Sequence, residues 1–204
     1  VRSFFRDNGL TIALAVLFGM SIIGMAAAGF NSFNAELAKH GEAPVSLTTY
    51  LTGGQFLSAL FENWESEFLQ MGVYVVLTAW LFQRGSAESR DPGKEGSEED
   101  ETTRFSFLYA HSLGLTLFGL FIGSFFLHWF ASARASELDA ARHGAPTTGY
   151  LQYILDAELW FESFQNWQSE FLSTAVLVVL SIFLREKGSP ESKPVKAPDE
   201  QTGS

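Results

Sequence analysis

The chain repeats itself. Asn63-Trp64-Glu65-Ser66-Glu67-Phe68-Leu69 returns as Asn166-Trp167-Gln168-Ser169-Glu170-Phe171-Leu172, 103 residues later. His40-Gly41 and His143-Gly144 keep the same offset, as do Gly85-Ser86-Ala87-Glu88-Ser89 and Gly188-Ser189-Pro190-Glu191-Ser192. A fixed internal period sets architecture before any single residue does. Each copy holds two long apolar segments, so the expected fold is an all-α membrane protein of two tandem-repeated helical hairpins.

Leu10 to Phe30 and Phe105 to Phe130 carry no Asp, Glu, Lys or Arg. About 20 helical residues cross a bilayer core, so both segments are long enough to span. Phe68 to Phe82 and Phe171 to Leu184 are shorter, but aromatic lead-ins without Pro or Gly, Phe56 to Trp64 and Leu159 to Trp167, extend them. Four transmembrane helices are therefore predicted, roughly over 8–40, 55–84, 105–142 and 156–186. The first apolar segment reads as a span rather than a cleaved leader, because the second copy reproduces the residues beyond it. The repeat units are 1–85 and 105–188. The Gly-, Pro-, Ser- and Glu-rich stretches 86–104 and 189–204 read as a disordered linker and tail.

Four spans put both ends on one side. Arg2, Arg6, Arg84, Arg90, Lys94, Arg104, Arg185, Lys187, Lys193 and Lys196 share that side, against Lys39, Arg134 and Arg142 on the other. The excess of basic residues makes the termini and the linker cytoplasmic. An even number of spans per copy gives both copies one orientation, with a pseudo-two-fold axis along the membrane normal. On the outer side Gly41 and Gly144 fit helix C-caps, and on the inner side Gly85 and Gly188 fit helix stops. The net charge of -10 argues against nucleic-acid binding, and without cysteine there is no disulfide, thiolate ligand or cysteine nucleophile.

At about 100° per residue, Asn63, Ser66, Glu67, Gln70, Tyr74 and Thr78 share one helix face, with Trp64 and Phe68 opposite. Asn166, Ser169, Glu170 and Ser173 repeat that face against Trp167. A polar stripe belongs inside the bundle, because lipid cannot satisfy it. Asn63, Ser66, Glu67, Asn166, Ser169 and Glu170 are accordingly the candidate polar or ion site. Glu67 and Glu170 either fix helix register as interhelical hydrogen-bonding groups or form a paired-carboxylate site for a proton or cation. Glu62 and Glu65 fall off the stripe and become Gln165 and Gln168 in the second copy, which reads as solvated charge near a helix start.

A metal site of His128 with Glu67 and Glu170 is geometrically allowed, but the paired Glu/His spacing of di-iron bundles is missing. Bis-histidine haem needs a second histidine facing His111, and none is visible. No cofactor is therefore expected. Gly119 with Gly123, and Ala15 with Gly19, permit close helix approach.

The stretch Glu62 to Met71, with Phe82-Gln83-Arg84-Gly85-Ser86-Ala87-Glu88-Ser89, resembles a family of small bacterial membrane proteins known only as a domain of unknown function. The resemblance covers the whole chain from Phe5-Arg6-Asp7-Asn8-Gly9. It implies a bacterial inner-membrane location and brings no activity, cofactor or site residues.

The function expected is that of a non-enzymatic structural or accessory membrane component, in contact with the bilayer and either a larger complex or further copies of itself. The alternatives are a small proton or cation channel or transporter using the paired glutamates, and a metal- or haem-containing redox protein. Below Thr78 and Ser173 the stripe turns nearly apolar, which favours the non-conducting reading.

Overall fold

The computed structural model of the protein describes residues 2–91 and 107–203. Part of the expected disordered linker, 92–104, lies outside them. Among the described residues every regular element is a helix: α1 (Arg2–Asp7), α2 (Gly9–Lys39), α3 (Leu47–Leu51), α4 (Gly54–Trp80), α5 (Phe107–Ala110), α6 (Ser112–His143), α7 (Tyr150–Tyr153) and α8 (Ala157–Phe183).

Local signals place these ends. Gly41 and Gly144 adopt φ of 74° and 64°. Beyond them, Glu42 N–H donates to Leu37 O and Ala145 N–H to Ala140 O, both at 2.9 Å. This is the wrapped-back C-cap that a left-handed glycine permits. Ser46 caps α3 by accepting from Thr49 N–H at 3.1 Å, and Asp156 caps α8 by accepting from Glu158 N–H at 2.9 Å. On the other side the expectation needs correction. Helices α4 and α8 stop at Trp80 and Phe183, before the glycines, and the chain leaves them in extended conformation at Leu81 and Leu184. Gly85 and Gly188 sit in the turns beyond, at φ 84° and 88°.

The two turns share their wiring. Ser89 Oγ accepts from Gln83 N–H and Ser192 Oγ from Glu186 N–H, both at 2.8 Å. Repeat partners also meet across the molecule. The rings of His40 and His143 lie 6.3 Å apart. Glu88 and Glu191, and Glu67 and Glu170, lie within electrostatic reach of one another.

The tail expected to be disordered is instead folded onto the first of these turns. Lys193 is 1% exposed, and its ammonium donates to the carbonyls of Gly85 at 2.6 Å, Asp199 at 3.0 Å and Gln201 at 3.2 Å. Thr202 Oγ1 accepts from Gly85 N–H at 2.9 Å. A buried ammonium persists only when its protons are spent in this way. Burial still pulls the Lys193 ammonium below its usual range, with Arg185 adding to the effect.

The closest helix pairing joins the two copies rather than the two helices of one hairpin. Helix α4 runs antiparallel to α6 along much of its length. Its contact edge is Gly54, Ser58, Glu65 and Gly72, at spacings of one or two turns. A methyl group on Gly54 would stand 2.6 Å from Ala131 O, so the two backbones nearly touch there. Ser58 hydrogen-bonds Ser132 at the same end, while Gly72 packs on Leu117 and Phe118 lower down. The Gly119–Gly123 pair and Gly19 meet no neighbour among the described residues. Helix α8 lies along α4, joined to it by Asn166 on Glu62 and Gln70 on Thr174.

Helices α2 and α6 are long and apolar enough to cross a membrane. Their apolar side chains face outward: Leu10 is 76% exposed, Ile23 70% and Phe126 53%. A helix from the core of a soluble protein would have buried such residues. The small core of Ala133, Tyr153 and Leu159, flanked by Trp129 and Ile154, sits where α6, α7 and α8 meet.

Candidate functional site

Below that core three helices converge on one imidazole. His128 of α6 is 0% exposed. Its Nδ1 lies 2.8 Å from Glu65 Oε2 of α4, and its Nε2 lies 3.1 Å from Glu162 Oε2 of α8. Glu65 is also 0% exposed, and its other oxygen accepts from the Trp167 indole N–H at 2.9 Å. Glu162 Oε2 accepts further from Ser132 Oγ at 3.1 Å. Glu62, three residues before Glu65, accepts from the Asn166 amide.

The close approach at Gly54 makes this possible. It brings α4 near enough to α6 for Glu65, eleven residues on, to reach His128. Burying two charges costs several kcal/mol per ion, and the cost is offset only if every remaining polar atom finds a partner. Trp167 and Ser132 are those partners here.

The cluster is not sealed. A cavity of about 490 Å³ runs from the loops before α4 to Glu62 and Glu162, past Ser58, Ser132, Arg134 and Tyr153. Glu162 keeps 29% of its side chain exposed on this path. One ligand atom from each of Glu62, His128 and Glu162 lies within 4.8 Å of the others. A neutral imidazole has one donor and one acceptor nitrogen. With carboxylates at both nitrogens, His128 satisfies the pair either as imidazolium or by sharing a proton held on one carboxyl. The arrangement is therefore a place to hold a proton or a cation.

The residues singled out from the repeat lie elsewhere. Asn63 and Glu67 are exposed, and the Asn63 amide donates back to Ala59 O at 2.7 Å. Ser66 is buried, yet its hydroxyl turns onto its own helix at Asn63 O, 2.8 Å away. Ser169 is exposed and bonds Asn166 O, and Glu170 is half-buried beside Glu67. Only Asn166 of the six touches the cluster, through Glu62 and through Glu162 O at 3.1 Å. The expected inward stripe thus lies largely on an open side of α4 and α8.

The structure differs from expectation at three further points. Glu65 is not solvated but fully buried. Trp167, expected opposite the inward-facing stripe, pointing outward or packed at the interface, hydrogen-bonds inward, whereas Trp64 packs on Phe18 and Phe61. His128 pairs with Glu65 and Glu162, not with Glu67 and Glu170. His111 stands exposed at the break between α5 and α6, its ring 4.3 Å from Phe107.

The cluster is built from positions where the copies differ. Glu62, Glu65, His128 and Glu162 correspond to Gln165, Gln168, Met25 and Ala59. A search keyed on what repeats passes over all four. The signal the sequence does carry is a histidine inside an apolar segment, with acidic residues at like depth on α4 and α8.

No curated protein and no solved structure matches the chain. Over residues 1–204 it matches the model of one family, and the chain belongs to that family, described as Domain of unknown function (DUF6766).

Proposed function

We propose that the chain is a non-enzymatic integral membrane protein of four spans that holds a proton or a cation at the Glu62–Glu65–His128–Glu162 centre, reached from the outer side. The observation that carries this reading is His128, fully buried with a carboxylate at each nitrogen, one of which, Glu162, lines a cavity together with Glu62. Ionisable groups at membrane depth are costly and mark proton or ion sites by default. Both imidazole nitrogens are engaged within the protein, which leaves neither for acid–base work on a substrate.

The outward apolar faces of α2 and α6 support immersion in lipid, and those of α4 and α8, with Trp80 76% exposed and Leu172 61% exposed, support the third and fourth spans. The meeting of repeat partners at His40 and His143, Glu67 and Glu170, and Glu88 and Glu191 supports a pseudo-two-fold axis along the normal. The basic-residue asymmetry supports cytoplasmic termini. A cytoplasm-active reporter fused at Ser204 or Lys94 is expected to work, and inactivity at both would overturn this orientation.

Trp167 supplies an internal reporter for the centre, since its N–H rests on Glu65. Titrating protons, then Na⁺, K⁺, Mg²⁺ and Zn²⁺, should change tryptophan emission in the wild type but not in Trp167→Phe or Glu162→Gln. A wild-type emission indifferent to all of them would refute the reading.

A second reading, a structural or accessory subunit, draws on Glu67. This carboxylate is exposed near the middle of α4, beside Glu170. Lipid would not accept it there, so a partner protein or a second copy would have to cover it. Co-purification from native membranes of a stoichiometric partner, lost in Glu67→Leu, is the outcome this reading expects.

A further inference from the structure

We infer that the cation is a divalent transition-metal ion of the zinc class, bound by one oxygen of Glu62, Nε2 of His128 and one oxygen of Glu162, with the fourth position open to the cavity. The inference rests on the cation-site reading above and specifies its guest.

Spacing is the first ground. Ligand atoms about 2.0–2.1 Å from a tetrahedral zinc ion stand roughly 3.3 Å apart. His128 Nε2 and Glu162 Oε2 are already 3.1 Å apart. An ion could replace the proton between them if the Glu162 carboxylate, part-exposed on the cavity side, swings off the imidazole axis to meet it. Glu62 supplies the third atom within 4.8 Å of both, and the hydrogen bond it accepts from Asn166 is one it can surrender.

The second ground is the support around the ligands. A metal-bound histidine almost always gives its other nitrogen to a carboxylate or carbonyl, which fixes the tautomer and raises ligand basicity. Glu65 holds Nδ1 at 2.8 Å and is itself held by Trp167. Ser132 does the same for Glu162.

Charge is the third. Three carboxylates, Glu62, Glu65 and Glu162, face one imidazole, so even an imidazolium leaves the group short of positive charge. The cations on the cavity wall make their contacts elsewhere. Arg134 donates to Thr52 O at 3.2 Å, and Arg142 pairs with Glu42 at 3.4 Å. Glu158 and Asp139 on the same wall add negative charge along the approach. An imidazole and carboxylates suit zinc, cobalt, manganese or iron, and with no cysteine in the chain thiolate-seeking ions have no ligand.

The test is Co²⁺ and Zn²⁺ binding by the full chain purified in detergent and stripped with chelator. The wild type should bind one ion per chain and, with Co²⁺, show the visible absorption of a tetrahedral nitrogen–oxygen site. Glu62→Gln, on the cavity wall, should weaken binding at least tenfold while the helical content is unchanged. His128→Gln should abolish the Co²⁺ spectrum. Glu65→Gln should bind about 10- to 100-fold more weakly, as loss of an orienting group does. Glu67→Gln and Glu170→Gln should bind as the wild type. Wild-type protein that binds neither ion overturns the inference, as does binding that Glu62→Gln and His128→Gln leave unchanged. If neither ion binds while Trp167 emission still follows pH, the metal falls and the proton site stands. If emission is also indifferent, both fall.

Discussion

His128 and Glu65 bury each other: both side chains are 0% exposed, and Nδ1 lies 2.8 Å from Oε2. The pair ties α6 to α4 where their backbones have just come closest, and Trp167 and Glu162 extend it to α8. Three helices therefore meet at one buried polar cluster.

Removing one partner of a buried charged pair typically costs about 3–5 kcal/mol, because the other is left uncompensated. Glu65→Leu should lower unfolding stability by about that much, since it strands both His128 and the Trp167 indole. Glu65→Gln keeps an acceptor for Trp167 and should cost only about 1–2 kcal/mol. Denaturant titration in mixed micelles, followed by circular dichroism, checks both values. Equal losses in the two variants would show that packing, not the polar contact, sets the cost.

Gly54→Ala tests the close approach that places Glu65. The added methyl would meet the Ala131 carbonyl at 2.6 Å, a backbone atom that cannot rotate away. Separating the helices should cost about 1–3 kcal/mol, as overpacking does. The same variant should also weaken the cation response, because the His128 centre opens with it. Gly119→Ala, with nothing within 4 Å, should be neutral in the same denaturant titration.

Glu88 gives a pH dependence at the opposite end. Burial raises its carboxyl above the usual range, the neighbouring Glu191 raises it further, and the Tyr74 hydroxyl bonded to it acts in the opposite sense. A raised folded-state value means that protonation favours the fold. The associated stability is complete below the unfolded value and is lost as pH rises through the folded one. Glu88→Gln should therefore melt higher than the wild type at pH 8, and the gap should shrink at pH 4. A lower melting temperature for the variant at pH 8 would contradict this sign.

Lys193→Met should release the tail. The ammonium is bonded to the Gly85, Pro198, Asp199 and Gln201 carbonyls, and the substitution removes all four bonds. Limited proteolysis should then cut within 189–203 faster than in the wild type, while the helices stay resistant. Unchanged cleavage would place the tail's order elsewhere.

Much of the helix layout can be read from the sequence, because each cap is a local event. Gly41, Gly144 and Ser46 act where their chemistry says they should. The ends of α4 and α8 differ from expectation because Gly85 and Gly188 serve turns whose serine bonds, at Ser89 and Ser192, lie beyond any helix signal. The tail misleads for a similar reason. Its composition is that of a disordered segment, but one lysine finds four carbonyls. The centre escapes the sequence for a different reason. A helical wheel ranks faces by polarity, and it assigns α4 the face of Asn63 and Glu67. The face that packs on α6 is instead marked by small residues, Gly54, Ser58 and Gly72, with Glu65 in line among them. A burial face lined with glycine and serine does not look apolar, so its one glutamate looks solvated.

The most direct measurement is thermal unfolding of the purified protein across pH and added cations, in the wild type, His128→Gln, Glu162→Gln and Glu67→Gln. The wild type should shift by several degrees with pH or with one cation, Glu67→Gln should shift alike, and the His128 and Glu162 variants should be flat. A flat wild type, or a response lost in Glu67→Gln and kept in His128→Gln, would contradict the account.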